Sequence, residues 1–174
     1  RNKYSKVHVV GSSRNISIKK KISSKKKNKK LKCLVLPEGM DTECKNLINF
    51  SIRCAKKNPK ISFVIRFHPM THVSRLLPSI GLNNIVENLS NVKISKKSLV
   101  NDIKNATICF YRGSTSAITA AQLGVFPFYI DLNKELNIDP MYKMGNFINY
   151  FKTSEEFKKL IMNKKIFNLK YKRK

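Results

Sequence analysis

The sequence predicts an α/β domain whose centre is a doubly wound parallel sheet with helices on both faces. Short apolar runs alternate along the chain with segments of helical periodicity, which is the pattern of repeated strand–helix units. The runs 33–36 and 61–67 are apolar almost throughout, as expected for strands buried on both sides. With 174 residues, 41% of them apolar, the chain is long enough to form one sizeable core.

Local patterns predict the elements of the first third of the chain. The apolar run 7–10 predicts a first strand, and the lysine-, serine- and asparagine-rich segment 19–32 predicts a mobile loop. The strand 33–36 leads through Pro-Glu-Gly into a helix over 42–57, for which Asp41 is the expected N-cap. An Asn-Pro pair ends this helix.

The rest of the chain repeats the strand–helix pattern. The strand 61–67 ends at a His-Pro pair, and the helix over 73–80 that follows it ends at Gly81. Serine and threonine are good N-caps, and glycine suits the left-handed position after a helix. The remaining predicted elements are a strand at 92–94, a helix at 99–105, a strand at 108–111, a helix that Ser114 or Thr115 caps and Gly124 ends, a strand at 125–130, and a helix at 154–162 capped by Ser154.

Polar or glycine-bearing loops directly follow five of the predicted strands. In an open α/β sheet, ligands bind along the edge where the strands end. We therefore expect these loops to converge on one ligand site. The residues that they bring to it are Gly11, Ser12, Arg14, Glu38, Gly39, His68, Pro69, Ser95, Arg112, Gly113, Ser114, Thr115 and Ser116.

The turn after the strand 108–111 predicts a phosphate site. Residues 112–116, Arg-Gly-Ser-Thr-Ser, place backbone N–H groups, hydroxyls and a guanidinium at the start of a helix, where anions bind. The alternative is an ordinary strand-to-helix turn. Arg112 either pairs with the phosphate or forms a salt bridge with Glu87 or Asp102.

His68 and Glu38 are the candidate catalytic residues. Pro69 favours an extended backbone at His68, from which the ring N–H can donate to a phosphate; the alternative is a structural hydrogen bond to the backbone. Glu38 suits acid–base chemistry or a hydrogen bond from a ribose or sugar hydroxyl, and its alternative is a solvated carboxylate. Arg66 is expected on the opposite side of its strand from Phe67.

The formal net charge of +26 is concentrated in the two flanks. Residues 1–32 hold 13 of the 36 Lys and Arg residues and 164–174 hold 6, and neither flank contains an acidic residue. Such flanks suit an anionic membrane surface or RNA. RNA is the less favoured partner because no aromatic residues for base stacking are interleaved with the lysines. The second function class that the sequence supports is therefore a noncatalytic basic binding module.

The spacing of the cysteines and the absence of several motifs limit the cofactors and the cellular location that the sequence predicts. The four cysteines are widely spaced, which predicts small buried residues in a reducing compartment. We therefore expect a cytoplasmic protein, whose basic flanks allow peripheral contact with the inner face of the membrane. No run approaches the roughly 20 apolar residues of a membrane span. The sequence lacks G-x-G-x-x-G, the P-loop motif, G-x-S-x-G and zinc-ligand spacing, and it offers no acidic pair for a metal. We therefore expect no metal and no required cofactor.

Four motifs carry a family resemblance. The chain resembles, over about residues 7–150, the C-terminal nucleotide-sugar-binding half of GT-B glycosyltransferases, which is Rossmann-like, and most of all enzymes of bacterial surface and capsular polysaccharide synthesis. The motifs are Pro37-Glu-Gly39, Arg66-Phe-His-Pro69, Arg112-Gly-Ser-Thr-Ser116 and Gly124-Val-Phe-Pro127. His-Pro followed by a Ser/Thr-rich turn is similar to the HP and S(S/T) motifs of bacterial sialyltransferases and polysialyltransferases.

The resemblance implies a donor-binding domain at 1–150 and a C-terminal helix with a basic tail at 151–174. In those families the HP histidine and the hydroxyl turn bind the phosphate and nucleoside of a CMP donor, which implicates His68 and 114–116. Because Pro37 stands where those sialyltransferases have the first acid of their D/E-D/E-G motif, UDP-, GDP- and dTDP-sugars stay open as donors. The implied enzyme transfers the sugar to a glycan or lipid-linked acceptor held by a half outside this chain. A related sugar-nucleotide epimerase is the alternative enzyme.

Overall fold

The computed structural model describes residues 31–79, 81–132, 138–142 and 149–163. Several sequence predictions fall outside these residues. They are the strand 7–10, the ligand-binding Gly11, Ser12 and Arg14, the loop 19–32 up to residue 30, and the basic tail 164–174.

The described residues form one six-stranded parallel sheet with six helices. Every strand pairing is parallel, and helices pack on both faces, so the predicted fold class is confirmed. The strands are β1 Lys32–Leu36, β2 Ser62–Ile65, β3 Val92–Ile94, β4 Ile108–Tyr111, β5 Phe126–Ile130 and β6 Asn149–Phe151. The helices are α1 Asp41–Lys57, α2 Val73–Ser79, α3 Leu82–Asn88, α4 Leu99–Asn105, α5 Ser116–Gln122 and α6 Ser154–Met162.

The strand order, β3-β2-β1-β4-β5-β6, is that of a Rossmann-like sheet. The chain builds outward from β1 to β3, then returns to place β4 on the other side of β1. The direction of winding therefore reverses between β1 and β4. Ligands bind beyond the carboxyl ends of the strands at such a reversal.

Aromatic rings fill the core on the α1, α2 and α6 side of the sheet. The ring of Phe110, on β4, has its centroid 5.0 Å from that of Phe157 on α6 and 5.7 Å from that of Phe50 on α1. All four residues of β4 are fully buried, so this strand is apolar at every position instead of alternating. The apolar runs in the sequence thus reflect burial on both faces.

Small residues bring α5 close to the opposite face of the sheet. Ala117 and Ala120 are fully buried in a cluster that includes Leu34 of β1 and Ile103 of α4. Ile118 and Ala121 are partly buried and pack against the same cluster.

Two short elements were not predicted from the sequence, α3 and β6. Gly81, the expected end of a single helix, is instead the N-cap of α3 and has a φ of +60°, so it joins two helices. A proline within the last turn of α2 limits that helix to seven residues. At α1 the expected cap was displaced by one residue, because Met40 is the N-cap and Asp41 begins the helix.

Thr153, and not the predicted Ser154, caps α6. The Thr153 hydroxyl accepts a hydrogen bond from the Glu156 backbone N–H at 3.2 Å, and the Glu156 carboxylate accepts one from the Thr153 N–H at 3.4 Å. This reciprocal pair is a capping box. The Ser154 hydroxyl is buried and accepts a hydrogen bond from Lys57 Nζ of α1 at 3.1 Å.

We expect Thr153→Ala to lower the free energy of unfolding by about 1 kcal/mol, because one N-terminal N–H of α6 loses its acceptor. Urea unfolding of the variant measures this loss. Thr153→Ser is the matched control, since it keeps the hydroxyl and should stay close to the wild type. Equal losses in the two variants would show that the methyl group, not the cap, is responsible.

Candidate functional site

The loops after β1 and β4 meet at the reversal point of the sheet. Glu38, in the β1 loop, is half-buried, and its carboxyl group packs against the backbone of Gly113 in the β4 loop. A Cβ atom at Gly113 would lie 2.8 Å from Glu38 Cδ. Glycine at this position therefore leaves the space that the carboxylate occupies.

The β2 loop joins this site through His68. A Cβ atom at Gly39 would lie 3.4 Å from His68 Nδ1, so the β1 and β2 loops are in close contact. The side chains of His68, Pro69 and Met70 are exposed. The Met70 backbone N–H donates to His68 Nδ1 at 3.2 Å. In the neutral ring the proton then resides on Nε2, which leaves Nε2–H as the donor.

The structure thus brings together four of the residues predicted for the site: Glu38, Gly39, His68 and Gly113. Ser95 follows β3 at the same edge, because its N–H donates to the carbonyl of Ile65, the last residue of β2. The loops after β1, β2, β3 and β4 therefore lie at one edge of the sheet, and the fifth predicted loop, at 11–14, lies outside the described residues. The catalytic roles of Glu38 and His68 and the binding roles of Gly39, Pro69 and Gly113 stay predictions.

Arg112 is held inside the protein. Its side chain is buried, its Nε donates to the Glu43 carboxylate, and its Nη1 donates to the Ile130 carbonyl at 2.6 Å. The guanidinium also lies 6.0 Å from the centroid of the Tyr129 ring. Arg112 therefore connects the end of β4 with the first turn of α1 and with β5. This position suits support of the turn better than contact with a phosphate.

The salt-bridge partners expected for Arg112, Glu87 and Asp102, were wrong, since its partner is Glu43 of α1. Asp102 instead pairs with Arg66 at 3.1 Å across the face of the sheet. Phe67 packs toward the core on the other face, so the expectation that it and Arg66 lie on opposite sides is confirmed.

The hydroxyl turn lies beside this arrangement. Ser114 is buried, Thr115 is exposed, and Ser116 is half-buried as the first residue of α5. Thr115 is the N-cap, as expected, but its side chain makes no capping hydrogen bond. Because α5 has only seven residues, its dipole adds little attraction for an anion. The binding roles of Ser114, Thr115 and Ser116 stay predictions that depend on their hydroxyl and N–H groups.

A row of tyrosines on β4, β5 and β6 was not predicted from the sequence. Tyr111, Tyr129 and Tyr150 stand level on adjacent strands, with ring centroids 5.7 Å and 5.4 Å apart. The buried Asp139 carboxylate accepts hydrogen bonds from the hydroxyls of Tyr111 at 3.1 Å and Tyr150 at 3.3 Å. Burial and the neighbouring Asp139 raise the pKa of Tyr111. The row follows from strand register, and the unpredicted β6 supplies one of its members.

The four cysteines are buried with free thiols, as predicted. Burial raises the pKa of the Cys44 and Cys54 thiols to about 12, and it also raises the pKa values of Cys33 and Cys109. These thiols are accordingly poor nucleophiles and behave as small core residues.

The described residues contain neither a cluster that could hold a metal ion nor a helix that could span a membrane. No three His, Cys, Asp or Glu residues among 31–79, 81–132, 138–142 and 149–163 cluster closely enough to hold a metal ion. Within the same ranges, no helix has the length and apolar character needed to cross a membrane.

Comparison with known proteins finds similarity among solved structures. No protein-family model matches the chain, and no curated protein matches it significantly. The chain is similar to the crystal structure of the apo-form glycosyltransferase GlyE from Streptococcus pneumoniae TIGR4, with 15% sequence identity and a TM-score of 0.43. This similarity covers 79% of the present chain and 33% of that protein, so the chain spans about a third of its length.

Proposed function

We propose that this domain binds a nucleotide-sugar and forms the donor-binding half of a GT-B glycosyltransferase. The observation that carries the proposal is the meeting of Glu38, Gly39, His68 and Gly113 at the reversal point between β1 and β4. A reversal of this kind is where doubly wound sheets bind nucleotides. The motifs that contain these residues are also those in which the sequence resembles the nucleotide-sugar-binding half of GT-B glycosyltransferases.

His68 supplies a hydrogen-bond donor to the donor's phosphate. Its Nδ1 is occupied by the Met70 N–H, so the exposed ring presents Nε2–H to the solvent-facing side of the site. When the bond between sugar and phosphate breaks, negative charge accumulates on the departing nucleoside phosphate. A donor already oriented toward that phosphate stabilises the transition state more than the ground state.

Glu38 is positioned to accept a hydrogen bond from a ribose or sugar hydroxyl. Its carboxyl group is held between the β1 and β4 loops, against Gly113 and one residue from the glycine that contacts His68. The hydroxyls of Ser114, Thr115 and Ser116 add donors on the β4 side, while Arg112 fixes the start of their turn from within. The acceptor, a glycan or a lipid-linked glycan, would bind to a half outside this chain.

Nucleotide binding tests this proposal directly. We expect one of CMP, UMP, UDP, GDP and dTDP to raise the melting temperature of the chain, because a ligand at ~100 times its Kd stabilises the folded state by about 2.7 kcal/mol. His68→Ala should remove most of that shift. His68→Gln should retain more of it than His68→Asn, since a glutamine amide reaches the position of Nε2 and an asparagine amide that of Nδ1.

His72→Ala is the matched control, because His72 is an exposed histidine four residues further along the same loop. It should leave the nucleotide-dependent shift unchanged. The proposal fails if no nucleotide stabilises the wild type, or if His68→Ala and His72→Ala reduce the shift equally. Salt-sensitive binding of RNA or anionic vesicles, with no nucleotide effect, would instead favour a basic binding module.

A further inference from the structure

A groove lies on the α4 side of the sheet, and Glu38, Gly39, His68 and Gly113 are not among its lining residues, although Ser95 is. The connection from β3 to β4 must cross two strands, yet its helix α4 has only seven residues. Ile103 of α4 packs over β1 and β4 with Leu34 and Cys109, which leaves β2 and β3 less covered on this face. A cavity of about 460 Å³ lies there, a size typical of small-molecule sites.

The groove combines an apolar floor with ammonium groups. Leu34, Val64 and Ala106, which belong to the cluster on the α4 side, contribute to its floor. Four exposed lysines line it, namely Lys32, Lys93, Lys96 and Lys97. Asp102 is the single acid among the lining residues, and its carboxylate is engaged by Arg66 at 3.1 Å and by the Ser95 hydroxyl at 2.6 Å. The groove therefore presents unbalanced positive charge.

The lysines are spread along the groove. Lys32 is level with Ser62 at the amino-terminal end of the strands, and Lys93 is level with Val64, two residues further along. Lys93 is therefore roughly 7 Å beyond Lys32 along the strands and, because β3 lies two strands from β1, roughly 10 Å from it across the sheet. Lys96 and Lys97 lie further toward the carboxyl end. A ligand that satisfies both ends needs two negative groups separated by a comparable distance.

We propose that this groove binds a small molecule that carries two separated anionic groups, phosphates or carboxylates, on an uncharged body. The basic flanks of the same chain are not a suitable occupant of the groove, because their many lysines are not balanced by any acid and would be repelled by its positive charge. A second copy brings the same positive charge. An apolar partner is disfavoured because Lys93 and Ser62 are among the lining residues. Nucleic acid is disfavoured because the lining residues include no aromatic side chain on which a base could stack.

Titration calorimetry of the whole chain with fructose 1,6-bisphosphate tests the proposal. This probe should bind more tightly than fructose 6-phosphate, which has one charge cluster. Lys93→Glu should weaken bisphosphate binding by about tenfold or more, because one attraction is replaced by a repulsion. Lys93→Gln should weaken it less. The dicarboxylate glucarate, used in the same way, distinguishes a carboxylate ligand from a phosphate ligand.

Lys104→Glu is the control, since Lys104 is exposed on α4, does not line the groove and undergoes the same charge change. It should weaken binding less than Lys93→Glu does, because Lys104 does not line the groove and its exposed charge is screened by solvent. His68→Ala should also leave bisphosphate binding intact, which separates this groove from the nucleotide site. Equal weakening by Lys93→Glu and Lys104→Glu, or equal affinity for the bisphosphate and monophosphate, would overturn the proposal. Circular dichroism of each variant checks that the fold is retained.

Discussion

Replacing Arg112 with methionine should lower the free energy of unfolding by about 3–5 kcal/mol, as expected when one partner of a buried ion pair is removed. Arg112 and Glu43 both lie almost completely inside the protein, with side-chain exposures of 4% and 7%. Methionine fills much of the same volume but leaves the Glu43 carboxylate without the guanidinium. It also removes the hydrogen bond to the Ile130 carbonyl.

The Arg75–Asp41 pair provides the control for this measurement. Its Nη2 to Oδ2 distance is 2.6 Å, but the Arg75 side chain is 70% exposed. Arg75→Ala should therefore cost less than about 1 kcal/mol, because water and salt screen an exposed pair. Urea unfolding of both variants gives the comparison. If Arg112→Met costs no more than Arg75→Ala, then the Arg112–Glu43 pair does not hold the β4 turn against α1.

Replacing Phe157 with alanine should also cost about 3–5 kcal/mol, the usual loss when a fully buried phenylalanine is truncated. Phe157 is inaccessible to solvent, and its ring centroid lies 5.0 Å from that of Phe110 and 5.9 Å from that of Phe151. The ring attaches α6 to the sheet. The cavity left by alanine would remain open, because the surrounding rings are held by neighbours on several strands and helices.

Met162→Ala, on the same helix, tests whether the loss of stability in Phe157→Ala comes from removing a buried side chain. Met162 is 70% exposed, so its truncation should change stability by no more than about 0.5 kcal/mol. Thermal and urea unfolding of both variants measure the difference. A loss below about 1 kcal/mol for Phe157→Ala would contradict the packing of α6 against the sheet.

The sequence was most informative where burial leaves a local pattern. β4 is fully buried and apolar at each of its four positions, and its bounds were predicted residue for residue. β6, by contrast, is an edge strand of three residues, Asn-Tyr-Phe, too short to show a period. The N-cap of α3 is Gly81, which has no side chain to cap the helix, so the sequence contains no capping signal for the start of α3. Short elements of this kind are fixed by their neighbours in space.

In the candidate site, too, features that follow from local sequence patterns were predicted, and features that depend on tertiary packing were not. The rule that ligand loops follow strand ends placed Glu38, Gly39, His68 and Gly113 together without any knowledge of distances. The partner of Arg112 could not be inferred, because Glu43 is 69 residues away along the chain and reaches it only through the packing of α1. The Tyr111 row was missed for a related reason, since it depends on strand register.

The loops around the site differ in how firmly they are attached. The β1 and β4 loops are joined twice, where Glu38 packs against Gly113 and where Glu43, in the first turn of α1, pairs with Arg112. These two loops should therefore respond to a ligand as one rigid unit. His68, Pro69 and Met70 project into solvent from the third loop, so they can change identity at little cost to the fold. Under the proposed function, substitutions at Pro69 and Met70 would consequently change ligand preference while the other two loops keep the geometry of the site.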